Sequence, residues 1–330
     1  MIAKLDKFKS TPVVRFFREN NSIYILILVI IAACISASPK FTRPANIINL
    51  TQSIGTYGIL AIGLTFIFLV GGIDLSLAYQ VALDGTLFVL MCNSIGFFPA
   101  LLITLVLGCC IGYMNGTIVT RLKIPSLIGT LAVMTSLKGL VLILNNDSSG
   151  RAVEATLFGE RLSHFYNIKL FGFLTPSHII CIIFLVALGM FLKYKRDGIN
   201  MYVVGGNPEA GLFSGINNDR LTRMAFTIGG FCASFCSILV VMRMNTSTYN
   251  MGDNLDIIAI CSVVVGGVKM QGGKGNMAMC IMGVATIQII NNVMTKLGMR
   301  TAMQALITGI VVILVLILDK ITSNIKANNA

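Results

Sequence analysis

Charge is scarce in this chain of 330 residues. Charged side chains make up 12% of it, whereas an average soluble domain is about one quarter charged. Hydrophobic residues make up 55%, and the mean hydropathy is +0.85. A disordered chain is excluded because such chains are polar. A soluble globular enzyme is disfavoured because 25 basic and 13 acidic residues cannot cover its surface. We expect an integral membrane protein made of several helices.

Tryptophan is absent, and histidine occurs only at His164 and His178. The nine cysteines lie in apolar stretches and form no Cys-x-x-Cys pair. With two histidines, a zinc site has too few ligands. We therefore expect no metal site and interpret the cysteines as small apolar packing residues.

Nucleotide-binding and hydrolytic motifs are also missing. The run Gly266–Gly275 fails the phosphate-loop pattern, because Gly275 follows Lys274 where Ser or Thr is needed; a tight, close-packed turn is the expected structure. There is no Gly-x-Ser-x-Gly elbow. The net charge of +12 comes from basic residues that sit singly between apolar runs and form no stripe for nucleic acid. We expect a protein that is not an enzyme, has no cofactor of its own and does not bind nucleic acid.

Charge-free runs predict an all-α, polytopic membrane helix bundle of about ten transmembrane segments. They lie near Ile23–Ala37, Gly55–Val70, Leu75–Leu90, from a break at Asn93–Gly96 to about Thr120, then near Pro125–Leu144, 170–192, Met224–Met242, 257–268, 275–295 and 301–318. The eighth run has only 12 uncharged residues, which indicates a short, broken or re-entrant segment.

Positive charge predicts the orientation of these segments. With the basic amino terminus inside, 16 Lys and Arg residues fall in inside loops and 8 in outside loops, as the positive-inside rule requires. Both termini are then cytoplasmic. The predicted organisation is a cytoplasmic segment 1–22, one transmembrane domain 23–320 with an extracytoplasmic loop 145–169 and a cytoplasmic loop 193–223, and a cytoplasmic tail 321–330.

A weak internal similarity accompanies this layout. The sequence Asn115–Leu122 ends the fourth segment, and the similar Asn291–Leu297 ends the ninth. The two segments would cross in opposite senses, as an inverted repeat requires. With so few matches, chance similarity stays an open alternative at this point.

Three polar residues near the predicted spans are candidates for a translocation pathway: Asp74, Asn115 and Asn291. Polar groups in lipid are costly and usually functional. For Asp74 the alternative is a helix cap, in which its carboxylate accepts a backbone N–H and starts the third helix after a glycine break. Lys138 lies within a span, where we expect it to snorkel or to pair with an acid.

The cytoplasmic segment 198–221 contains the signals of a short helix. Asn207 suits the N-cap, Pro208 the first helical position, Glu209 the positive helix end, and Gly215 the stop. A helix of about two turns is marginal alone and needs a surface to pack on. That surface is either the protein's own helices or bilayer, or a soluble partner.

Several motifs together resemble the permeases of ribose/xylose/galactose-type ABC transporters, the inner-membrane components of binding-protein-dependent transport systems. The matching elements are Gly71–Leu77 (GGIDLSL), Asn115-Gly116, Ile124–Leu131 (IPSLIGTL), Val204–Ile216 (VGGNPEAGLFSGI) and Leu255–Gly267 (LDIIAICSVVVGG). They run in order over residues 46–320. The chain departs from the usual residues of this family at Ala78, Ala132 and Gly211, where one small residue replaces another.

The resemblance implies a non-catalytic permease subunit in a bacterial inner membrane. It implies a homodimer or a heterodimer with a related permease, a cytoplasmic ABC ATPase that holds ATP and Mg, and an extracytoplasmic substrate-binding protein. It also implies the inverted repeat. Gly206, Asn207, Glu209 and Ala210, with Gly215 ending the helix, would belong to the coupling helix that docks on the ATPase.

The resemblance implies import of a monosaccharide, with a nucleoside permease of the same fold as the alternative. From another class, an ion-coupled secondary transporter would use Asp74 or Asp84 as its ion site. Five basic residues lie in short outside loops, where the orientation rule disfavours them: Lys40, Arg43, Arg243, Lys296 and Arg300. Our hypothesis is that some of them pair with acidic residues of the binding protein; lipid headgroups or partners within the chain are the alternative.

Overall fold

The computed structural model describes residues 21–37, 39–145, 153–154, 164–170 and 174–311, together with residues 313 and 317. Helices account for most of these residues. They are α1 (Asn21–Ala37), α2 (Pro44–Leu69), α3 (Leu77–Ile95), α4 (Phe97–Arg121), α5 (Ser126–Leu144), α6 (Pro176–Tyr194), α7 (Arg196–Gly206), α8 (Pro208–Phe213), α9 (Asn218–Met244), α10 (Leu255–Val265), α11 (Met277–Lys296) and α12 (Thr301–Val311). Two two-residue strands, β1 (Val153–Glu154) and β2 (Thr246–Ser247), pair in antiparallel register.

Within these residues, six helices are long and apolar enough to cross a membrane: α2, α4, α5, α6, α9 and α11. Large aliphatic side chains are exposed along them, as in α4, where Leu102 and Val106 face outward. A water-soluble monomer seldom exposes so much contiguous apolar surface. The chain is therefore a polytopic membrane helix bundle, as its lack of charge predicts.

A helix lies at each predicted segment, although only six helices within the described residues are long and apolar enough to span a membrane; the largest difference in bounds is in α2. α2 begins at Pro44, eleven residues before the predicted start at Gly55. Its first turns carry polar side chains, among them Asn46 and Gln52, that are buried against neighbouring helices. α7 was not predicted. The amino-terminal segment before residue 21, the tail 321–330, most of loop 145–169 and most of the tenth segment beyond Val311 lie outside the described residues.

The bundle has two ends that can be distinguished by contacts. At the first, which we call the β end, Asn46 near the start of α2 exchanges hydrogen bonds with Asn292 near the end of α11. β2, which follows α9 and pairs with β1, lies at this end. At the opposite end, which we call the α8 end, Leu69 at the end of α2 accepts a hydrogen bond from the Gly273 N–H, 3.0 Å away. α7, α8 and the turn between α10 and α11 gather there.

The centre of the bundle is a close contact between α4 and α9. Gly108, Gly112 and Gly116 recur every fourth residue and so lie on one face of α4. A Cβ atom on Gly112 would lie 2.3 Å from the Phe226 carbonyl oxygen of α9. The two backbones therefore meet directly, which is the membrane form of small-residue packing.

A short helix, α10, lies at the position of the predicted eighth segment. After α9 ends at Met244, residues 245–254 form β2 and a 3-10 turn (Tyr249–Gly252), and only then does the 11-residue α10 begin. This non-helical backbone lies along α3: a Cβ on Gly252 would be 2.7 Å from the Ala78 carbonyl oxygen. The short uncharged run therefore corresponds to a short helix that follows the non-α-helical residues 245–254.

Candidate translocation and coupling sites

Asp74 belongs to a buried cluster with Ser76 and Asn115. Its Oδ1 accepts the Ser76 backbone N–H at 2.8 Å and the Ser76 hydroxyl at 2.6 Å. Asn115 Nδ2 donates to Asp74 Oδ2 at 3.1 Å and to Ser76 Oγ at 2.7 Å. Asp74 is only 2% exposed. The N-cap of α3 is Ser76 rather than Asp74, so the carboxylate supports the turn before the helix and also ties it to α4.

The turn of Asp74 is further held by the start of α5. The Ile73 N–H donates to Ser126 Oγ at 3.0 Å, and the Leu75 N–H donates to Thr130 Oγ1 at 3.2 Å. Asn115 Oδ1 is buried and has no hydrogen-bond partner among the described residues. A polar group that is buried and unsatisfied is unusual and calls for an explanation such as a function or an ordered water.

Asn291 lies apart from this cluster. It is in the last turns of α11, at the β end, and its Oδ1 accepts the Thr308 hydroxyl of α12 at 3.4 Å. Asp74 and Asn115 therefore form one site, and Asn291 is not part of it. α4 ends beside the start of α9, since a Cβ on Gly116 would touch Arg223, whereas α11 ends at the β end. The helices that carry Asn115 and Asn291 run in opposite directions.

The helix predicted from Asn207 is present as α8. The Asn207 side chain accepts the Ala210 N–H at 3.0 Å, Pro208 begins the helix, and Glu209 lies in its first turn. Gly215 follows the helix with φ of +73°, a conformation that glycine adopts without strain. The cap and stop signals in the sequence are thus confirmed.

The residues of α8 are mostly exposed at the α8 end of the bundle. Gly206, Asn207, Glu209, Ala210 and Gly215 are all exposed. The side chain of Phe213 is 93% exposed and that of Leu212 is 63% exposed. A pair of exposed apolar side chains on a capped helix is a feature of protein docking surfaces.

α7 connects α8 rigidly to the rest of the bundle. A Cβ on Gly205 would lie 1.8 Å from the Leu69 carbonyl oxygen, and one on Gly273 would lie 2.5 Å from Gly206 Cα. The Tyr202 hydroxyl donates to the Gly275 carbonyl at 3.3 Å. Burial raises the pKa of the Tyr202 phenol. The run 266–275 is the close-packed turn that its glycines predict, and it abuts the segment leading to α8.

The basic residues of the short loops gather at the β end. Lys40 and Arg43 precede α2 in a turn held by the buried Phe41, whose carbonyl accepts from Asn46 Nδ2 at 2.9 Å. Lys296 and Arg300 flank the end of α11. Lys40, Arg43 and Arg300 are exposed. These four residues lie at the same end of the bundle, because Asn46 near the start of α2 is paired with Asn292 near the end of α11; we call them the basic rim.

Arg243 differs from the other four because it has a partner within the chain. Its Nη1 donates to Ser53 Oγ at 2.7 Å, and the residue is half-buried. The alternative of an intrachain partner is thus observed for Arg243, and a free docking role is weakened for it.

A polar centre surrounds Asp84, which the sequence suggested only as the ion site of an ion-coupled transporter. Asp84 is fully buried within α3, and its Oδ2 accepts from Ser234 Oγ at 2.6 Å and from Gln80 Nε2 at 3.3 Å. Gln80 also donates to the Gly230 carbonyl at 2.9 Å. The centre therefore bridges α3 and α9. Gln80 lies one helical turn from Asp84, but Ser234 is 150 residues away in the chain, so this pair could not be recognised from the sequence.

His178 contributes to a helix cap, and the buried cysteines contribute to packing. His178 forms a capping box with Thr175 at the start of α6. Six of the nine cysteines are buried and all nine are free thiols, and Cys181 Sγ packs where Gly58 leaves room. Among the described residues, no group of three His, Cys, Asp or Glu side chains is placed to hold a metal ion.

Comparison with known proteins identifies the class of this bundle. The family model described as "Branched-chain amino acid transport system / permease component" matches residues 46–316. The chain belongs to this permease family. The match begins near the start of α2 and includes every feature of the α8 end described above. No solved structure matches the chain significantly.

The permease is similar to three characterised relatives. It is 31% identical to the ribose import permease protein of Escherichia coli (strain K12), over 91% of this chain and 93% of that protein. It is 27% identical to the galactose/methyl galactoside import permease protein of the same organism, over 92% and 95%. It is 28% identical to an L-arabinose ABC transporter permease protein of Azospirillum brasilense, over 92% and 89%.

Proposed function

We propose that the chain is the membrane permease subunit of an ATP-driven ABC importer and forms the translocation pathway for a monosaccharide. The observation that carries this proposal is the similarity, over nearly the whole chain, to permeases named for ribose, galactose and arabinose. These are all neutral sugars. The permease itself has no catalytic role.

The proposed topology has about ten membrane segments with both termini in the cytoplasm. The α8 end is then cytoplasmic and the β end extracytoplasmic. The 16-to-8 distribution of basic residues supports this orientation. The opposite directions of α4 and α11 support an inverted repeat that includes Asn115 and Asn291.

α8 is the proposed coupling helix. It has the shape and exposure that docking into a groove of an ATPase needs, with Leu212 and Phe213 as apolar anchors. Its backbone connection through Gly205 and Gly273 links it to α2 and to the turn after α10. Closure of a pair of ATPases on ATP and Mg would move α8, and a dimer of permeases would switch from inward to outward access.

The basic rim at the β end is the proposed docking region for the substrate-binding protein. Lys40, Arg43, Lys296 and Arg300 lie at that end of the bundle. Complementary acidic patches on the binding protein would aid encounter and set its orientation. The Asp74–Asn115 cluster is a proposed polar element of the pathway on the side of the α8 end.

The first experiment is a purification of the chain from its native membranes in mild detergent, with mass spectrometry of the proteins that accompany it. We expect a stoichiometric soluble ATPase with a phosphate-binding loop. Glu209→Arg should remove the ATPase, because a positive charge opposes the start of α8. Glu209→Gln is the matched control and should retain it.

A lone permease without an ATPase would refute the ABC assignment, and ATPase retention by Glu209→Arg would refute the role of α8. The binding protein recovered with the complex is then tested against pentoses, hexoses and nucleosides. Uptake driven by ATP and insensitive to a collapsed proton gradient completes the test. A neutral sugar as the tightest ligand is the expected result.

A further inference from the structure

A charged cluster lies between α3, α5 and the segment before α10. The hydroxyl of Tyr79, in α3, donates a hydrogen bond to Asp253 Oδ1. The Lys138 ammonium of α5 lies 5.1 Å from the centroid of the Tyr79 ring and near Tyr249. Tyr79 is buried, whereas Lys138 and Asp253 are exposed on the surface of the chain. The Lys138 surface is the name we give to Lys138, Asp253 and the exposed residues Thr135, Asn250 and Asn254.

This surface is deep within the apolar part of the bundle. Lys138 has twelve residues of α5 before it and six after it. Tyr79 is next to Gln80, which contacts Gly108 and Gly230, near the middle of α4 and α9. An ammonium and a carboxylate are costly in hydrocarbon, and in membrane proteins such groups face a protein interior or a water-filled cavity.

The backbone beside the cluster leads to the same conclusion. Residues 245–254 are not α-helical, and Asn254 has a positive φ of 61°. Asn250, Asp253 and Asn254 are exposed. Irregular backbone at membrane depth is tolerated only where protein covers it or where it lines water, because lipid cannot satisfy its polar groups. By contrast, the exposed face of α4 carries the aliphatic side chains that suit lipid, such as Val106.

We propose that the Lys138 surface lines the aqueous translocation pathway and forms transient hydrogen bonds with the hydroxyl groups of a neutral monosaccharide. The proposal rests on the permease function proposed above and assigns a substrate-contacting site to it. It is distinct from the Asp74–Asn115 cluster, which is buried.

The chemistry of the surface fits an uncharged polyhydroxylated ligand. The ammonium of Lys138 supplies donors, and the carboxylate of Asp253 supplies acceptors. The Tyr79 hydroxyl donates to Oδ1 of Asp253 and so orients the carboxylate. Oδ2 can then accept a hydrogen bond from a ligand hydroxyl. The two opposite charges cancel each other. Asp256 lies in the first turn of α10, where the helix dipole offsets its negative charge. A ligand with its own net charge gains little from such a surface.

The first test measures access of water to the middle of α5. Thr135 has nine helical residues on each side of it, is exposed, and lies one turn before Lys138. In a background that replaces the exposed Cys34 and Cys110 with serine, Thr135→Cys should react with a charged methanethiosulfonate reagent in proteoliposomes of the assembled transporter. Val106→Cys on the aliphatic face of α4 is the control and should not react. Equal, negligible labelling of both variants overturns the proposal.

The second test separates ligand contact from simple charge pairing. Asp253→Asn should lower binding-protein-dependent sugar uptake about tenfold or more, the range for loss of a hydrogen bond to a charged group, while stimulation of the ATPase by the binding protein persists. The double variant Lys138→Met, Asp253→Asn restores uptake if the two charges only neutralise each other, and this result would overturn the proposal. We expect the double variant to transport no better than Asp253→Asn.

The two tests also separate this inference from the proposed function. If the wild-type complex takes up no sugar with ATP, the permease assignment fails, whereas labelling of Thr135→Cys is measured without any sugar. If the wild type transports and Asp253→Asn transports equally well, the site assignment alone fails. Tyr79→Phe, which keeps the ring and releases the carboxylate, should give a smaller loss than Asp253→Asn, as expected for a positioning residue.

Discussion

Adding a single methyl group at Gly112 tests the packing of α4 on α9. The Cβ of Gly112→Ala would lie 2.3 Å from the Phe226 carbonyl oxygen and 3.0 Å from Thr227 Cα, whereas ordinary contacts begin at 3.4 Å. Both clashing groups belong to the backbone, so no side chain can rotate away. The two helices therefore have to separate by about 1 Å, and contacts along the rest of their interface weaken with them.

The expected change in the free energy of unfolding is the difference between a destabilising and a stabilising contribution. Overpacking of a dense interior costs about 1–3 kcal/mol, while Gly to Ala within a helix stabilises by about 0.5–1 kcal/mol. Nearby backbone contacts, such as Gly230 against Gly108, should place the overpacking at the upper end of its range. We expect Gly112→Ala to lower the free energy of unfolding by about 2 kcal/mol, roughly a 30-fold change in the unfolding equilibrium.

The assay is reversible unfolding in mixed micelles with rising SDS mole fraction, followed by circular dichroism. The matched control is Gly139→Ala, which is also within a span but has no atom within 4 Å of the added Cβ. This control should be neutral or up to about 1 kcal/mol more stable, from helix propensity alone. If Gly112→Ala is as stable as Gly139→Ala, the direct contact between the backbones of α4 and α9 is wrong.

Three further predictions follow from the two ends of the bundle. Asn46→Ala and Asn292→Ala should each lower the free energy of unfolding by about 1–2 kcal/mol, because the remaining amide is left unpaired. The loss in the double variant should be smaller than the sum of the two single losses by roughly 1 kcal/mol, which a double-mutant cycle in SDS unfolding can measure. Gly205→Ala should abolish the stimulation of ATPase activity by the binding protein, because its Cβ would lie 1.8 Å from the Leu69 carbonyl oxygen and displace the segment that carries α8. Arg43→Glu combined with Arg300→Glu should reduce uptake several-fold at low binding-protein concentration and low salt, with the deficit shrinking as salt screens the charges.

Each of these predictions has a result that contradicts it. Additive effects at Asn46 and Asn292 would mean that the two amides do not interact. Normal stimulation in Gly205→Ala would show that the contact with Leu69 is not needed for coupling. Unchanged stimulation by the binding protein in the doubly charge-reversed variant, at every salt concentration, would exclude the basic rim as a docking region.

Properties that depend on neighbouring residues were predictable from the sequence. The membrane class follows from the scarcity of charge, since hydrocarbon excludes ionised groups whatever the fold. The boundaries of α8 follow from Asn207 and Gly215, because a cap and a stop act within one helical turn. The short eighth segment was predicted from the length of its uncharged run, and the structure has an 11-residue helix, α10, at this position.

Properties that depend on distant residues were not predictable. The start of α2 was missed because Asn46 and Ser53 look like loop residues until their partners Asn292 and Arg243 are known. Their burial is compatible with membrane depth only because those hydrogen bonds form.

The same holds for the polar sites inside the bundle. The sequence alone singled out Asp74, Asn115 and Asn291 as equals, but the structure joins the first two and places the third at the other end. It also joins Tyr79 to Asp253, which are 174 residues apart in the chain. Such pairs depend on how each helix is rotated about its axis, and that rotation is set by the packing of whole helix faces, above all by the glycine contact of α4 with α9. Composition and local signals determined what kind of helices the chain makes; only the packing decided which of their polar side chains meet.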